Sequence, residues 1–188
     1  MPARQQSFVF KTWGGWREDA GRKPKNGKKA GASHLTRPTL AARFPVLVTW
    51  RMDPDVWNMR SRRCFSVMQR AMYAGALRFG FRLVHYAVMG NHMHMLVEAP
   101  DRHALARGMK GLGVRIARAL NRVMGRRGRV IGERYHARIL KTPNQAKHAR
   151  HYLVTNARKH YGYAFADPFA SQAPLVVART WLLRRAPT

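Results

Sequence analysis

Residues 86–100, YAVMGNHMHMLVEAP, decide the fold because they place a tight turn between two apolar runs. The run FRLVHYAVM comes before Gly90–Asn91 and HMHMLVEA follows, which predicts two strands joined as a β-hairpin. Side chains alternate along a strand, so His92 and His94 point to one face with Cα atoms roughly 6.5–7 Å apart. The methionines between and beside them point to the opposite face. The hairpin therefore predicts one apolar sheet face and one face on which two imidazoles converge.

The segments on either side of the hairpin supply the other strands and two helices. The run PVLVTWRM (45–52) suits a strand, and apolar residues recur at near-helical spacing over residues 53–80. After the hairpin, the spacing predicts a long amphipathic helix over residues 102–124. The run VIGERYHARIL (130–140) is predicted to be a fourth strand.

A last helix follows the fourth strand. Thr142 suits its N-cap, Pro143 its first helical position and Gly162 its end. The order strand, helix, strand, strand, helix, strand predicts an α+β protein with a ferredoxin-like or RRM-like antiparallel sheet. Its helices lie on one face of the sheet, and the last helix is an addition at the C-terminal side.

The charge of the chain points to its partner. Lysine and arginine total 36 against 8 acidic residues, which gives a net charge of +28 and predicts a polyanion, most often nucleic acid. A single cysteine, Cys64, excludes a disulfide framework and a cysteine-cluster metal site. The chain shows no secretory signal and no run long enough to span a membrane, so we expect a cytoplasmic, nucleoid-associated protein without a membrane partner.

Three basic segments are predicted to contact nucleic-acid phosphates, and their charge does not separate DNA from RNA. One side of the helix over residues 102–124 is apolar, and the other carries positive charges with no acidic residue among them. The turn GRRGR (125–129) and the motif GRKPK (21–25) extend this charge. A solvated helix face and a non-specific basic tail are the alternatives. The residues predicted to contact nucleic acid here are Arg22, Lys23, Lys25, Arg107, Lys110, Arg115, Arg118, Arg122, Arg126, Arg127 and Arg129.

The composition divides the chain into three parts. Residues 1–37 are rich in glycine, lysine and arginine and poor in aliphatic residues, so we expect a disordered basic arm. Residues 38–162 contain the periodic elements and form the expected single domain. Residues 163–188 form a C-terminal extension with a short amphipathic piece, PLVVARTWLLRR.

The last helix offers chemistry that matches the histidine pair. Tyr152 and Asn156 are four residues apart and therefore share a helix face. The Asn156 amide oxygen is a suitable ligand for Mg²⁺ or Mn²⁺, and the Tyr152 phenol can act as a covalent nucleophile once it loses its proton. The alternative is that the histidines are simply hydrogen-bonded on a half-exposed face and that Tyr152 is a packing residue.

Two segments resemble a known family. GNHMHMLVE is similar to the His-hydrophobic-His motif of HUH endonucleases, and ERYHARILKTPNQAKHARHYLVTNARKH is similar to the tyrosine-helix segment of REP-associated tyrosine transposases. The likeness extends over about residues 14–160. It implies an RRM-like domain, a divalent cation, Mg²⁺ or Mn²⁺, and a single-stranded DNA substrate. By position, His92 and His94 match the metal-binding pair, Tyr152 the nucleophile and Asn156 the residue that completes the metal site.

The resemblance also implies a reaction. Tyr152 would cleave hairpin-flanked single-stranded DNA through a 5′-phosphotyrosine intermediate and rejoin it without a small-molecule cofactor, as a monomer or homodimer. Lys159 is expected to contact phosphate, and Lys159 or His148 could assist the phenol. One departure is that Ala157, not proline, follows Asn156.

Three other functions fit some of these residues. A non-catalytic RRM-like nucleic-acid-binding protein would have the same charge and fold. A HUH relaxase or replication initiator would add a third metal histidine, for which His85 or His136 is available. A His-x-His metallohydrolase is disfavoured because the chain has so few carboxylates.

Overall fold

The computed structural model describes residues 36–162 and 166–184, without the side chains of residues 158 and 159. The predicted basic arm, with Arg22, Lys23 and Lys25, lies outside the described residues except for its last two positions. Within the described ranges the elements are β1 (Val46–Arg51), α1 (Arg62–Gly75), β2 (Leu77–Arg78), β3 (Phe81–Val88), β4 (His92–Glu98), α2 (Arg102–Val123), β5 (His136–Ile139), α3 (Pro143–Tyr161) and α4 (Trp181–Arg184).

The strands form one open sheet in the order β2-β3-β4-β1-β5, and all neighbouring strands are antiparallel. Apart from the two-residue β2, this is the ferredoxin-like arrangement, in which the two strands of the first β-α-β unit and those of the second interleave. The predicted α+β fold is confirmed. The hairpin between β3 and β4 is also confirmed, because the Met89 amide donates to the His92 carbonyl across Gly90–Asn91 (2.8 Å).

Two layers of helix cover opposite faces of the sheet. On one face, α1 and α2 pack over an apolar core that includes Trp50, Met93 and Met95. Gly108 of α2 permits this close packing, since a Cβ at that position would lie 2.2 Å from the Phe81 ring. On the other face, α3 packs through Leu153 and its neighbours against Leu96 and Ala87. The predicted placement of the last helix apart from the other two is therefore observed.

The start of α3 follows its sequence signals. The Gln145 amide N–H donates to the Thr142 hydroxyl (3.2 Å), and the Gln145 side-chain oxygen accepts from the Lys141 amide (2.7 Å). The first bond satisfies a backbone donor that the first helical turn leaves unpaired, and the second ties the residue before the cap to the helix. Beyond the last residue of α3, Gly162 takes a positive φ of 67°, a conformation that favours glycine.

The first helix is shorter than predicted. It begins at Arg62 because Ser61 caps it, accepting from the Cys64 amide (3.3 Å). Trp57, which the spacing placed on the helix, lies before it and is 47% exposed. After the helix, the chain forms the short strand β2 and turns at Phe79–Gly80 with φ values of 55° and 76°. This small hairpin was not predicted.

The fourth predicted strand is also shorter than expected. Regular pairing with β1 is confined to β5 (His136–Ile139), and Ile131 forms only an isolated bridge with Met52. The Tyr135 carbonyl accepts from the Arg37 guanidinium (2.8 Å), which also stacks on the Tyr135 ring. The residue just before β5 is therefore held by a side chain from the N-terminal end of the described chain.

Residues 166–184 run along the exposed edge of β3 and belong to the same compact unit as the sheet. Backbone bonds join Val88 N to Phe169 O, Ser171 N to Tyr86 O and Leu175 N to Val84 O, each 2.9 Å. A covered edge cannot pair with another chain. None of the described helices is long and apolar enough to cross a membrane.

Candidate active site between β4 and α3

The centre of the candidate site is His94 on β4. Strand pairing places it opposite Thr49 of β1, and its Nδ1 lies 2.9 Å from the Thr49 hydroxyl. Its Nε2 lies 3.1 Å from the phenol oxygen of Tyr152 on α3. The residue is only 6% exposed. The sheet and α3 thus bring together a strand imidazole and a helix phenol that are 58 residues apart in the chain.

The partners of His94 determine what its ring can do. When Nδ1 carries the proton, it donates to Thr49, and the Nε2 lone pair accepts from the Tyr152 hydroxyl. That tautomer is the one in which Nε2 can bind a cation or accept a proton. The Thr49 hydroxyl orients the ring, and it can accept from a protonated Nδ1 or donate to an unprotonated one.

His92 stands beside His94 at the hairpin turn. The two ring centroids are 5.0 Å apart, and His92 Nδ1 donates to the side-chain oxygen of Asn91 (2.8 Å). This bond leaves the Nε2 lone pair of His92 available. The two histidines that the sequence predicts on one face are observed there, with both rings oriented by neighbours.

Burial keeps both imidazoles neutral. It lowers the pKa of His94 to about 4, and the charges of His92 and His160 act in the same direction. Burial also lowers the pKa of His92, with further contributions from His160 and Arg51. Neutral imidazole is the form that binds a metal ion. Burial raises the pKa of the Tyr152 phenol, so the hydroxyl stays protonated at neutral pH unless another group favours its ionisation.

Two further side chains of α3 follow Tyr152 at helical spacing. Asn156 is 1% exposed, and its Nδ2 has no hydrogen-bond partner among the described residues. His160, one turn further on, has its ring centroid 6.5 Å from that of His92. Neither His160 nor Thr49 was singled out from the sequence. The four-residue spacing from Tyr152 through Asn156 to His160 could have indicated His160, because it places all three on one helix face.

The donor set suits a cation that accepts both nitrogen and oxygen ligands. Among the described residues, no group of three His, Cys, Asp or Glu side chains is placed to hold a metal ion. Two neutral imidazoles and one amide oxygen from Asn156 nevertheless fit Mn²⁺ or Mg²⁺, which fill further positions with water and phosphate oxygens. Asn156 is buried on the same face of α3 as Tyr152, so its amide oxygen would be the third protein ligand of such a cation.

Contacts from two directions hold the turn that carries His92. The Gly90 amide donates to the Tyr161 hydroxyl at the end of α3 (3.0 Å). Arg60 donates to the Val88 carbonyl (2.9 Å) and forms a buried bidentate pair with Asp167 (2.7 and 2.8 Å). The helix and the C-terminal segment therefore both fix the position of the histidine hairpin.

Of the two candidates for a third metal histidine, His85 lines a different cavity, whereas His136 lines the same cavity as His94. His85 Nδ1 contacts the Ser171 hydroxyl (3.2 Å), and its ring lines a separate cavity beneath α3. His136 on β5 pairs with Thr49 and lines a cavity next to Tyr152, together with His148. Among the described residues, neither joins His92 and His94 in a three-ligand cluster.

The predicted DNA-contacting side chains of α2 lie on the opposite face of the sheet from Tyr152. A groove between α1 and α2, about 550 Å³ in volume, is lined by Arg115, Arg118 and Arg122 and also by Arg70 of α1. A neighbouring cavity of about 460 Å³ adds Arg107 and Lys110. We call these two cavities the arginine groove. Sequence reasoning missed the contribution of Arg70.

The remaining predicted DNA contacts lie elsewhere. Arg127 is exposed, Arg126 donates to the Arg129 carbonyl (3.0 Å), and Arg129 pairs with Asp53 (2.9 Å). Part of the charge of the GRRGR turn is therefore neutralised within the protein. The side chain of Lys159 lies outside the described part of the chain.

Comparisons with known proteins agree with the fold. No protein-family model and no curated protein sequence matches the chain. The structure is similar to that of a REP-associated tyrosine transposase bound to a REP hairpin, with a TM-score of 0.60 and 13% sequence identity over 75% of this chain and 83% of that one. The chain therefore has the α+β fold of that transposase. A proposed transposase from Deinococcus radiodurans R1 gives a TM-score of 0.44 and 16% identity, over 66% of this chain and 95% of that one.

Proposed function

We propose that this protein is a metal-dependent single-stranded DNA endonuclease and transposase of the HUH class, related to the REP-associated tyrosine transposases. It cleaves and rejoins DNA at hairpin-flanked sites through a 5′-phosphotyrosine intermediate. The observation that carries the proposal is the contact between the Tyr152 phenol and His94 Nε2 (3.1 Å), with His92 beside it. The shared fold with a transposase bound to a DNA hairpin supports the choice of substrate.

The residues of the site have separate roles in this proposal. His92, His94 and Asn156 would hold the cation, which would polarise the scissile phosphate and stabilise charge on the departing 3′ oxygen. Thr49 and Asn91 orient the two imidazoles. Tyr152 is the nucleophile.

The bonds change in one displacement. The phenolic oxygen of Tyr152 forms a bond to phosphorus and gives up its proton, the bond from phosphorus to the 3′ oxygen breaks, and the departing 3′ oxygen takes a proton from solvent to become a free hydroxyl. Because burial raises the pKa of Tyr152, its proton needs an acceptor. His148 lines the same cavity and is the acceptor we propose. A second 3′-hydroxyl reverses the reaction and joins the strands.

DNA binding draws on surfaces away from the site. The net charge of +28 and the arginine groove supply sequence-independent phosphate contacts. Since the groove and Tyr152 lie on opposite faces of the sheet, DNA that contacts both must pass around an edge of the sheet. We therefore propose that the groove contributes affinity while the α3 face performs the cleavage.

A covalent-adduct assay tests the proposed activity. The full-length protein is incubated with a single-stranded hairpin oligonucleotide and Mg²⁺ or Mn²⁺, and a protein–DNA band is sought on a denaturing gel. The band should disappear with EDTA and with Tyr152→Phe. Tyr73→Phe is the matched control, because Tyr73 is an exposed tyrosine on α1 and should leave the band unchanged. A band that survives Tyr152→Phe would refute the nucleophile assignment.

The second candidate function is a non-catalytic nucleic-acid-binding protein. The lack of a three-ligand His, Cys, Asp or Glu cluster among the described residues favours it, as does the raised pKa of Tyr152. It predicts that hairpin DNA binds with the same affinity in EDTA and in Mn²⁺ and that no covalent band forms with either metal.

A further inference from the structure

A cavity of about 600 Å³ opens beside Tyr152, between α3 and the strands β1 and β5. Neither the metal-site residues nor the phosphate chemistry accounts for its size, although Tyr152 and His94 form part of its wall. Pockets of this volume hold small organic groups, and one nucleotide falls within their range. The cavity is therefore large enough for a group attached to the reacting phosphate.

The lining combines an apolar part with a polar part. Leu47, Leu140 and Ala149 supply apolar contacts, and Leu140 and Ala149 are buried. The polar side chains are His136, Arg138, Gln145 and His148. A flat, partly apolar ring with hydrogen-bonding groups at its edge is the ligand that this lining suits. Nucleobases have that character, and imidazole rings stack on them.

Two of the polar side chains in this lining, Gln145 and Arg138, offer hydrogen-bond donors to a ligand rather than acceptors. The side-chain oxygen of Gln145 already accepts from the Lys141 amide (2.7 Å), so its amide NH₂ group remains. The Arg138 guanidinium has donors only. Guanine presents two adjacent acceptors, O6 and N7, and a guanidinium bonds both at once.

We propose that this cavity binds one unpaired guanine base of the DNA strand at the cleavage site, with Arg138 as the residue that selects it. The position next to the scissile phosphate rests on the proposed function. The binding of an unpaired guanine rests on the cavity alone. A base stacked within a duplex must leave its stack to enter such a pocket, so the site discriminates single strands from duplexes.

The test measures base preference without cleavage. Fluorescein-labelled dT₁₂ and three oligonucleotides that carry dG, dA or dC at one central position are titrated with the full-length protein in EDTA, and anisotropy gives each Kd. The oligonucleotide with dG should bind about tenfold more tightly than dT₁₂. Annealing it to its complementary strand should remove this advantage over a dT₁₂ duplex. Equal affinity for the four single strands would overturn the proposal.

Two substitutions of Arg138 locate the preference. Arg138→Ala should bring the ratio of the dG and dT₁₂ affinities to about one. Arg138→Gln should move the preference from dG to dA, because a glutamine amide matches the donor and acceptor of adenine. Arg138 is exposed on β5, and thermal unfolding would show whether each variant retains the fold. A guanine preference that persists in both folded variants would contradict the assignment.

A charge-matched control separates base recognition from general attraction. Arg107→Ala on α2 removes the same charge from the arginine groove. It should weaken all four oligonucleotides equally and leave their ratios unchanged. Base preference without a covalent adduct would preserve this proposal and refute the proposed function. A covalent adduct that depends on Tyr152, without any base preference, would support the proposed function and refute the guanine site.

Discussion

Beneath α1 and α2, an apolar cluster of buried residues fills that side of the sheet, and the histidines that are buried among the described residues, His85 and His94, lie on the other side. The opposite face, under α3, holds His85 and His94 in buried positions and His92 at its margin. The solvent-facing surface of α1 and α2, by contrast with the apolar core beneath them, is strongly basic, since it carries the arginine groove. An uninterrupted apolar face supplies stability without titratable groups. The other face can therefore hold polar groups whose burial lowers stability but defines a site.

The largest expected effect concerns a side chain on the α3 face. His94→Ala should lower the rate of covalent-adduct formation by more than about 100-fold, because it removes a ligand of the proposed cation, which would take the Nε2 lone pair that otherwise bonds the Tyr152 hydroxyl. Single-turnover gel assays at saturating DNA measure this rate. His103→Ala, an exposed histidine near the start of α2, should leave it unchanged. Equal rates in the native protein and His94→Ala would exclude a role for the strand imidazole.

Acid sensitivity is the next effect and should originate on the same face. Burial lowers the pKa of His85 to about 4, and the nearby Arg150 charge adds to this. An unfolded histidine titrates near 6.5, so the unfolded chain binds more protons below that pH, and the free energy of unfolding falls as pH drops from 6.5 towards 4. For one histidine this amounts to about 2–3 kcal/mol.

Urea unfolding at pH 7 and at pH 4.5 measures that change. His85→Gln should reduce the difference in unfolding free energy between the two pH values, whereas the exposed His103→Gln should not. If both variants lose stability as steeply as the native protein, buried His85 is not a source of the acid sensitivity.

A smaller effect is expected from the residue that orients His94. Thr49→Val keeps the side-chain shape but removes the hydroxyl that bonds Nδ1 (2.9 Å). Removal of a partner of this kind lowers metal affinity by about 10- to 100-fold. The Mn²⁺ affinity measured by calorimetry should therefore decrease by a factor in that range. Thr155→Val is the control, because the Thr155 hydroxyl bonds only the His151 carbonyl of its own helix in the described contacts (2.8 Å). Unchanged Mn²⁺ affinity in Thr49→Val would show that the hydroxyl does not orient the ring.

The smallest effect should come from the α1–α2 face. Arg118→Ala removes one positive charge from the arginine groove, so the slope of log affinity against log salt should become less steep by about 0.7 for single-stranded DNA. The adduct rate at saturating DNA should not change. Val114→Ala, an exposed change on the same helix, should alter neither quantity. A lower cleavage rate in Arg118→Ala at saturating DNA would contradict the proposal that the arginine groove contributes only affinity and the α3 face performs the cleavage.

Local periodicity accounts for the parts of the fold that were predicted. The hairpin and α3 each follow from signals within a few residues: the Gly90–Asn91 turn, the Thr142 cap and the Gly162 end. The α1 boundary was wrong because helical spacing alone does not show that Ser61 caps the helix. The break before β5 was not predicted because local periodicity does not show that Ile131 makes only an isolated bridge with Met52.

The candidate site was readable in part for the same reason. His92 with His94 and Tyr152 with Asn156 are pairs at strand and helix spacing, so each pair could be placed on one face. Thr49 could not, because its position opposite His94 depends on strand register, and a shift of one residue would place Val48 or Trp50 there. The cavity beside Tyr152 needs β1, β5 and α3 together, and no local pattern encodes it.

Peptide mapping of the covalent adduct tests the central claim most directly. The full-length protein is reacted with hairpin oligonucleotide and Mn²⁺, digested with nuclease and protease, and analysed by mass spectrometry for a nucleotide on tyrosine. The account predicts a 5′-phosphonucleotide on Tyr152. A nucleotide on Tyr161 or on another tyrosine, or hydrolysed DNA with no modified tyrosine, would contradict the assignment of the β4–α3 junction as the active site.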